Sequence, residues 1–327
     1  LNRLVSIITP CYNGENFISR FLNSILNQTY NNIELIIIND GSTDNTRIIL
    51  ESYKEIFINR NVEYIIINQE NKGQSEAINQ GLKIFSGDYL TWPDSDDILL
   101  PNNISSKVAF LENNPEYGLV MGKVGIVNEN DLDRRIKILK RKEPIWNDTL
   151  FEDLIQDKNV YYTPGGYMVR SSCFLDVNPL RSILPLREIG QNYHMLLPIT
   201  YKYKCGYLNE CIYLYVKRKN SHSHAKRTYE ESINVISFEK YALEKIIESL
   251  NIQNEKYYLK IIIKKYHHRL LKLAFKNNKQ DEFKKQFNIL KRMGALTLTD
   301  IYLKYRENTL LKLLRHAKKR FRYGRHT

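Results

Sequence analysis

The sequence predicts an α/β fold, with a mostly parallel central sheet covered by helices on both faces, followed by a basic, all-helical domain. Two observations carry this. Through the first hundred residues, short continuous apolar runs alternate with segments of helical spacing, the pattern of parallel strands buried on both sides. Then the charge changes. Residues 226–327 hold 25 Lys and Arg against 10 Asp and Glu, a net of +15, whereas the first 225 hold 24 against 26. A near-neutral body therefore precedes a cationic helical region, with a domain boundary between 225 and 226.

The elements follow in order. Leu4 to Thr9 is a β-branched apolar run that stops at Pro10, and Tyr12-Asn13-Gly14 is a turn. Glu15 to Gln28 carries Phe17, Ile18, Phe21, Leu22, Ile25 and Leu26 at helical spacing. Ile33 to Ile38 is a second buried strand. After it, Ser42 or Thr43 is placed to cap a helix reaching about Ile58. Val62 to Ile67 is a third strand, Asn68 to Gly73 a polar loop and Ser75 to Phe85 a helix.

Asp88 to Trp92 reads as a short strand running into Asp94, Asp96 and Asp97. Carboxylates packed so closely repel one another unless a cation joins them. Mg²⁺ and Mn²⁺ prefer oxygen ligands and often share them with a phosphate. Asp94 and Asp96, two residues apart, can face one ion. An acidic surface turn before a helix is the plainer explanation of the same residues. In parallel sheets ligands bind beyond the carboxyl ends of the strands. There this chain places Thr9, Pro10, Tyr12, Asp40, Asn71, Lys72, Gly73, Asp94 and Asp96, a polar, aromatic and acidic set suited to a nucleotide with its cation.

The runs VSIITPCYNGENFISRFLNSILNQTYNNIELIIINDGSTDNT and NQENKGQSEAINQGLKIFSGDYLTWPDSDDILLP resemble the family 2 glycosyltransferases of the GT-A fold, closely over about the first hundred residues. The resemblance implies a nucleotide-binding half (1–100), an acceptor half (101–225) and a helical domain (226–327). It implies a donor site of Thr9, Pro10, Tyr12, Asn13, Asp40, Asn71, Lys72, Gly73, Asp94 and Ser95. It also implies a Mn²⁺ or Mg²⁺ ion on Asp94 and Asp96. The expected donor is a UDP-sugar, either UDP-glucose or galactose or an N-acetylhexosamine, transferred with inversion to a glycan hydroxyl. One departure stands out: relatives often carry Arg where this chain has Ile78, so Lys72 or a downstream cation has to serve the diphosphate. No Walker A or G-x-G-x-x-G element occurs, which removes the main support for kinase, ATPase and dinucleotide readings.

Pro101 to Asn113 is helical, Leu119 to Val127 a strand, Ile136 to Arg141 an edge strand and Tyr167 to Arg170 a strand after the Thr163–Gly166 turn. Inverting relatives place an acidic pair at the start of the next helix to deprotonate the acceptor. Here Gln191-Asn192 stands in that place, and neither residue is a base. Glu188 is the nearest carboxylate and His194 the second candidate. Strands from Cys205 to Val216 lead to a basic segment in which His224 is placed to give a third metal ligand, a solvated linker being the alternative.

No run approaches the roughly 20 apolar residues of a membrane helix. Four cysteines without zinc spacing, and no signal-like start, fit reduced thiols in the cytoplasm. Four helical stripes fill the tail: Val235 to Leu250, Leu259 to Leu273, Phe283 to Leu290 and Leu310 to Phe321. Adjacent His267 and His268 face apart. The basic end suits a solvated face, an anionic membrane surface at the inner face of the cell membrane, or a protein contact through homo-oligomers or another subunit. Its partners are thus a nucleotide-sugar and a glycan, lipid-linked or protein-linked. No motif favours nucleic acid. Because of Gln191-Asn192, the other reading is a catalytically impaired member serving as a scaffold in a glycosylation complex.

Overall fold

The computed structural model describes residues 3–142, 150–185, 191–218 and 227–307. It divides into two compact units, Leu1–Ala225 and Lys226–Thr327. Glu188 and His224 lie outside the described residues, as does the stripe expected from Leu310 to Phe321.

The first unit is built on a nine-stranded mixed sheet. Its first half holds β1 (Val5–Cys11), β2 (Ile33–Asp40), β3 (Glu63–Gln69) and β4 (Tyr89–Thr91), in the order β3-β2-β1-β4 and all parallel. Each strand follows from its apolar run, and β1 and β2 are buried at every residue. The edge strand β3 is only half-buried, since one side of it has no neighbouring strand. The parallel character ends at β4. Across β8 (Tyr167–Arg170), β6 (Tyr117–Asn128), β9 (Lys204–Lys217) and β5 (Ile98–Leu99), only the β6–β9 pairing is parallel, and β7 (Asp131–Leu139) adds antiparallel to β6. Apolar runs alone do not reveal strand direction, so this reversal comes from the tertiary arrangement.

Helices cover the sheet: α1 (Ile18–Leu26), α2 (Thr46–Ser52), α3 (Lys54–Asn59), α4 (Gln74–Ile84), α5 (Asn103–Asn113), α6 (Phe151–Gln156), α7 (Ser171–Val177) and α8 (Asn192–Lys202). The single helix expected up to Ile58 is two, and neither Ser42 nor Thr43 caps it. Ser42 Oγ accepts from Asn13 N–H instead, and Asp44 receives Thr46 N–H at the start of α2. Close packing places α4 on β1: a Cβ at Gly81 would stand 2.4 Å from Ile8 Cγ2.

Two buried polar groups lock this frame. Glu34 on β2 accepts from Ser6 Oγ on β1 (2.5 Å) and from Ser86 N (3.1 Å) and Oγ (2.6 Å), tying two strands to the turn before β4. Lys107, fully buried on α5, donates to Gly165 O (3.1 Å) and Tyr167 O (3.2 Å). Burial without a carboxylate partner brings its amine down to about 7.

The second unit contains α9 (Tyr229–Ser249), α10 (Glu255–Lys276), α11 (Gln280–Arg292) and α12 (Leu298–Glu307). Thr228 and Glu231 form a capping box that fixes where α9 begins. Leu271, Ala274, Phe283, Phe287, Leu290 and Leu303 form its core cluster. The α11 stripe is buried as expected, whereas on α9 the buried set is Ile236, Ala242, Leu243, Ile246 and Ile247 and leaves Phe238 exposed. His267 Nδ1 meets Gln286 Oε1 at 2.6 Å and His268 Nδ1 meets Asp300 Oδ1 at 3.2 Å, so the adjacent rings do serve two separate helices.

Candidate active site

The carboxyl ends of β1, β2 and β4 bring together most of the residues singled out from the sequence. Pro10 and Cys11 end β1 in register with Ile38 and Asn39 of β2. Thr9 Oγ1 donates to Pro93 O (3.1 Å), fastening β1 to the acidic turn. Tyr12 is exposed, with its ring free to meet a flat ligand. Asn13 takes a left-handed conformation (φ 48°), and its side-chain oxygen accepts Thr43 N–H at 2.8 Å.

Asp40 is buried and already saturated. Oδ1 accepts Gln69 Nε2 (2.6 Å) and Lys72 N–H (2.9 Å), and Oδ2 accepts Gly73 N–H (2.9 Å). The side chain therefore shapes the loop of Asn71, Lys72 and Gly73, a task that the motif alone did not reveal. Gly73 has φ 90°, and Gly41 (φ 71°) lets Asn71 approach so closely that a Cβ would lie 2.5 Å from Asn71 N.

The acidic turn splits into three environments. Asp94 is half-buried, and its Oδ1 accepts Gln74 Nε2 at 2.9 Å. Burial, with the neighbouring charge of Asp96, pushes its carboxyl up to about 7. Asp96 does not stand free to meet an ion. Its Oδ2 is held by Arg218 Nε (2.8 Å) and Nη2 (2.5 Å), while Arg20 Nη2 donates to its backbone oxygen at 2.7 Å. The Arg218 guanidinium also stacks 4.2 Å from the Phe17 ring centroid. Asp97 is fully buried: Oδ1 accepts Val216 N–H at 2.8 Å, and burial raises its pKa well above the usual carboxylate range. Asp97 thus pins the end of β9 to the turn.

Ser95 is buried and hydrogen-bonds the Cys11 thiol, which burial pushes up to about 12. That thiol is a core group. All four cysteines are free.

At the start of α8, Gln191 is buried and faces Asp94 closely enough to favour its charged form, yet its amide atoms have no hydrogen bond of ordinary geometry. Among the described residues, Asn192 Oδ1 and His194 Nε2 are buried without a hydrogen-bond partner as well. Burial takes His194 down to about 4, so at neutral pH it is an uncharged imidazole. Ile78, at the place where relatives often carry arginine, is fully buried, and Arg218 is the cation paired with Asp96. The sequence offered Arg218 only as one member of a basic run, and gave no sign of Gln74.

A cavity of about 530 Å³ lies along α1, lined by Asn16, Arg20, Asn23, Asn27, Leu100 and Pro101 among others. Tyr12, Asp40 and Asp94 are absent from its walls, so it is separate from the strand-end crevice.

Comparison with known proteins bears on the family and the fold. Residues 6–176, more than half of the chain, match the model of glycosyl transferase family 2. An uncharacterized glycosyltransferase of Haemophilus influenzae is 36% identical over 161 residues, covering 49% of either chain. The Escherichia coli UDP-Glc:alpha-D-GlcNAc-diphosphoundecaprenol beta-1,3-glucosyltransferase WfgD is 37% identical over 130 residues, 39% of this chain and 49% of that protein. The chain thus spans about half the length of these curated relatives. Among solved structures, S. aureus TarS 1–349 in complex with UDP-GlcNAc superposes with a TM-score of 0.63 at 18% identity, covering 98% of this chain and 92% of that one. At that identity the likeness concerns the fold, here GT-A-like.

Proposed function

The chain belongs to glycosyl transferase family 2, and from that premise we propose that it is a hexosyltransferase moving a sugar from a nucleotide donor to a glycan hydroxyl. The observation that carries this is the acidic turn. Asp94 and Asp96 follow the end of β4, Asp94 bonded to Gln74 next to the Asp40-shaped loop and Asp96 bonded to Arg20 and Arg218. The donor we favour is a UDP-hexose or UDP-N-acetylhexosamine, in keeping with the UDP-Glc and UDP-GlcNAc in the names of the relatives above. The acceptor class is a lipid-linked, protein-linked or polysaccharide glycan, and inversion follows from in-line attack.

The carboxylates of Asp94 and Asp96 fit a divalent cation. They are hard oxygen donors, and burial with the neighbouring charge of Asp96 raises the pKa of Asp94 to about 7, a shift that a cation at this turn would relieve. Among the described residues no three His, Cys, Asp or Glu side chains form a complete cage, so oxygens of the donor or of water would finish the shell. Bound there, Mn²⁺ or Mg²⁺ would neutralise charge developing on the leaving diphosphate. Tyr12 would stack on the base, and the loop of Asn71, Lys72 and Gly73 would border the nucleoside. Arg218 would move from Asp96 towards the diphosphate.

The proton of the acceptor hydroxyl is assigned to Glu188 or His194. His194 is neutral at working pH and so able to accept, but burial makes it a weak base. Gln191, through its unpartnered amide, and Asn192, through its unpartnered Oδ1, would orient the acceptor. The same substitution supports a second reading, an impaired member that binds donor and serves assembly.

Hydrolysis of a panel of UDP- and GDP-sugars, with and without Mn²⁺, tests the proposal. One donor should be cleaved slowly and only with metal, and Asp96→Ala should abolish the cleavage. Calorimetric donor binding without turnover on any acceptor would favour the assembly reading. Neither binding nor hydrolysis would sink both.

A further inference from the structure

Among the described residues, nothing covers one apolar face of α12. Leu298 (86% exposed), Ile301 (39%), Tyr302 (60%) and Tyr305 (62%) follow one another at i, i+3, i+4 and i+7, a single stripe along the helix. The opposite face is fully used. Leu303 packs into the cluster of Leu271, Phe283, Phe287 and Leu290, and the buried carboxylate of Asp300 meets His268 on α10 and Thr297 N–H. A helix of ten residues with apolar side chains on both faces is costly in water unless something covers the second face.

We propose that this stripe is a docking surface for an anionic lipid bilayer. Cations border it. Arg306 lies 5.6 Å from the Tyr302 ring centroid and 5.4 Å from that of Phe275, while Lys304 lies 4.4 Å from that of Phe287. The contact with Tyr302 holds the Arg306 charge beside the stripe, and Lys304, exposed on the same helix, lies over Phe287 at the margin of the covered face. The sequence beyond the helix adds seven Lys and Arg and no Asp or Glu between 308 and 327. A second copy docked on the stripe would bring Lys304 and Arg306 towards their own likeness, against like-charge repulsion. A nucleic acid would satisfy the cations but has no apolar layer for Leu298 and Ile301. An anionic bilayer supplies both, headgroup phosphates for the cations and the acyl boundary for the aliphatic side chains. Tyrosine is favoured at that level because its ring is apolar and its hydroxyl wet. The stripe and the basic segment together give the two signals that stable peripheral attachment requires. The inference rests on the second unit alone and stands whatever sugar the first unit transfers.

The test is co-sedimentation of the full chain with vesicles of phosphatidylcholine, alone or with about one third phosphatidylglycerol. The chain should bind the anionic vesicles and leave the neutral ones. Ile301→Ser/Tyr305→Ser should weaken anionic binding by about tenfold or more, since two apolar side chains lose their burial. Lys304→Gln/Arg306→Gln should weaken it less, with a shallower salt dependence. Thermal melting checks the fold of each variant, and Tyr302→Ser alone replaces the double variant if that one melts early. The proposal is overturned if wild type ignores anionic vesicles, or if the stripe variants bind as wild type does, which would leave the basic segment as the only contact. It is equally overturned if sedimentation velocity shows a dimer that the stripe variant dissolves without change in vesicle binding.

Discussion

Arg218 is the counter-ion of Asp96: two guanidinium nitrogens reach one carboxylate oxygen at 2.8 and 2.5 Å, while Phe17 supports the guanidinium from one face. About four fifths of each side chain is shielded from water, so the pair is only partly screened. Without donor, the residue expected to hold a cation is held by a cation of the protein's own. A metal arriving there has to displace Arg218, and a diphosphate arriving with it offers the guanidinium a new anion.

Arg218→Ala should therefore strengthen Mn²⁺ binding to the donor-free protein by about tenfold and weaken UDP binding in the presence of Mn²⁺. Calorimetric titration of each ligand separates the two effects. Equal Mn²⁺ affinity in both proteins would show that Asp96 takes no part in metal binding.

Asp94 sets a pH dependence of stability. Its carboxyl is raised from 3.8 to about 7 by burial first and the charge of Asp96 second. Between those values the folded chain holds a proton that the unfolded chain has released, so stability falls as pH rises from about 4 to about 7 and levels off above. Asp94→Asn should remove this slope, melting above wild type at pH 8 and close to it at pH 4. Parallel melting curves for the two proteins across that range would contradict the assignment.

His194 acts in the opposite sense. Burial lowers its imidazole from 6.5 to about 4, so the unfolded chain binds the extra proton first. Stability is then complete above about 6.5 and declines as pH falls towards 4, by up to about 3 kcal/mol at 1.36 kcal/mol per pH unit. A non-titrating His194→Gln variant should lose that acid-side decline in urea unfolding at a series of pH values. If the imidazole also takes the acceptor proton, turnover should fall while donor affinity stays unchanged.

Asp40→Asn exchanges one of two acceptor oxygens for a donor facing Gln69, Lys72 N–H and Gly73 N–H. A cost of roughly 1–3 kcal/mol is expected, because buried donors are left unsatisfied. The loop at 71–73 should become protease-sensitive ahead of the core, and UDP should bind more weakly. Unaltered proteolysis together with weaker UDP binding would mean that Asp40 acts on the ligand alone.

The parallel half was legible because its signals are local. The apolar runs of β1 and β2 need neighbours on both sides, and a strand ending in closely spaced carboxylates announces a polar site. The pairing of the second half was not legible, since β8 runs against β6 while β9 runs along it, for reasons that lie in partners distant in sequence. Strand β5, two residues long, and the short helices α6 and α7 give no periodic signal at all. Nor could the site's inner bonds be read. Asp94, Asp96 and Asp97 look alike in sequence, yet Gln74, Arg218 and Val216 give them three different environments.

By itself the sequence determined an α/β body, the family to which its motifs point and the cluster of strand-end residues, because hydrophobic period and turn chemistry act over a few residues. Only the tertiary structure decided which carboxylate is paired, which is neutral and which helix face stays uncovered. Burial and charge depend on what the fold brings alongside each group, and that is set across a hundred residues or more.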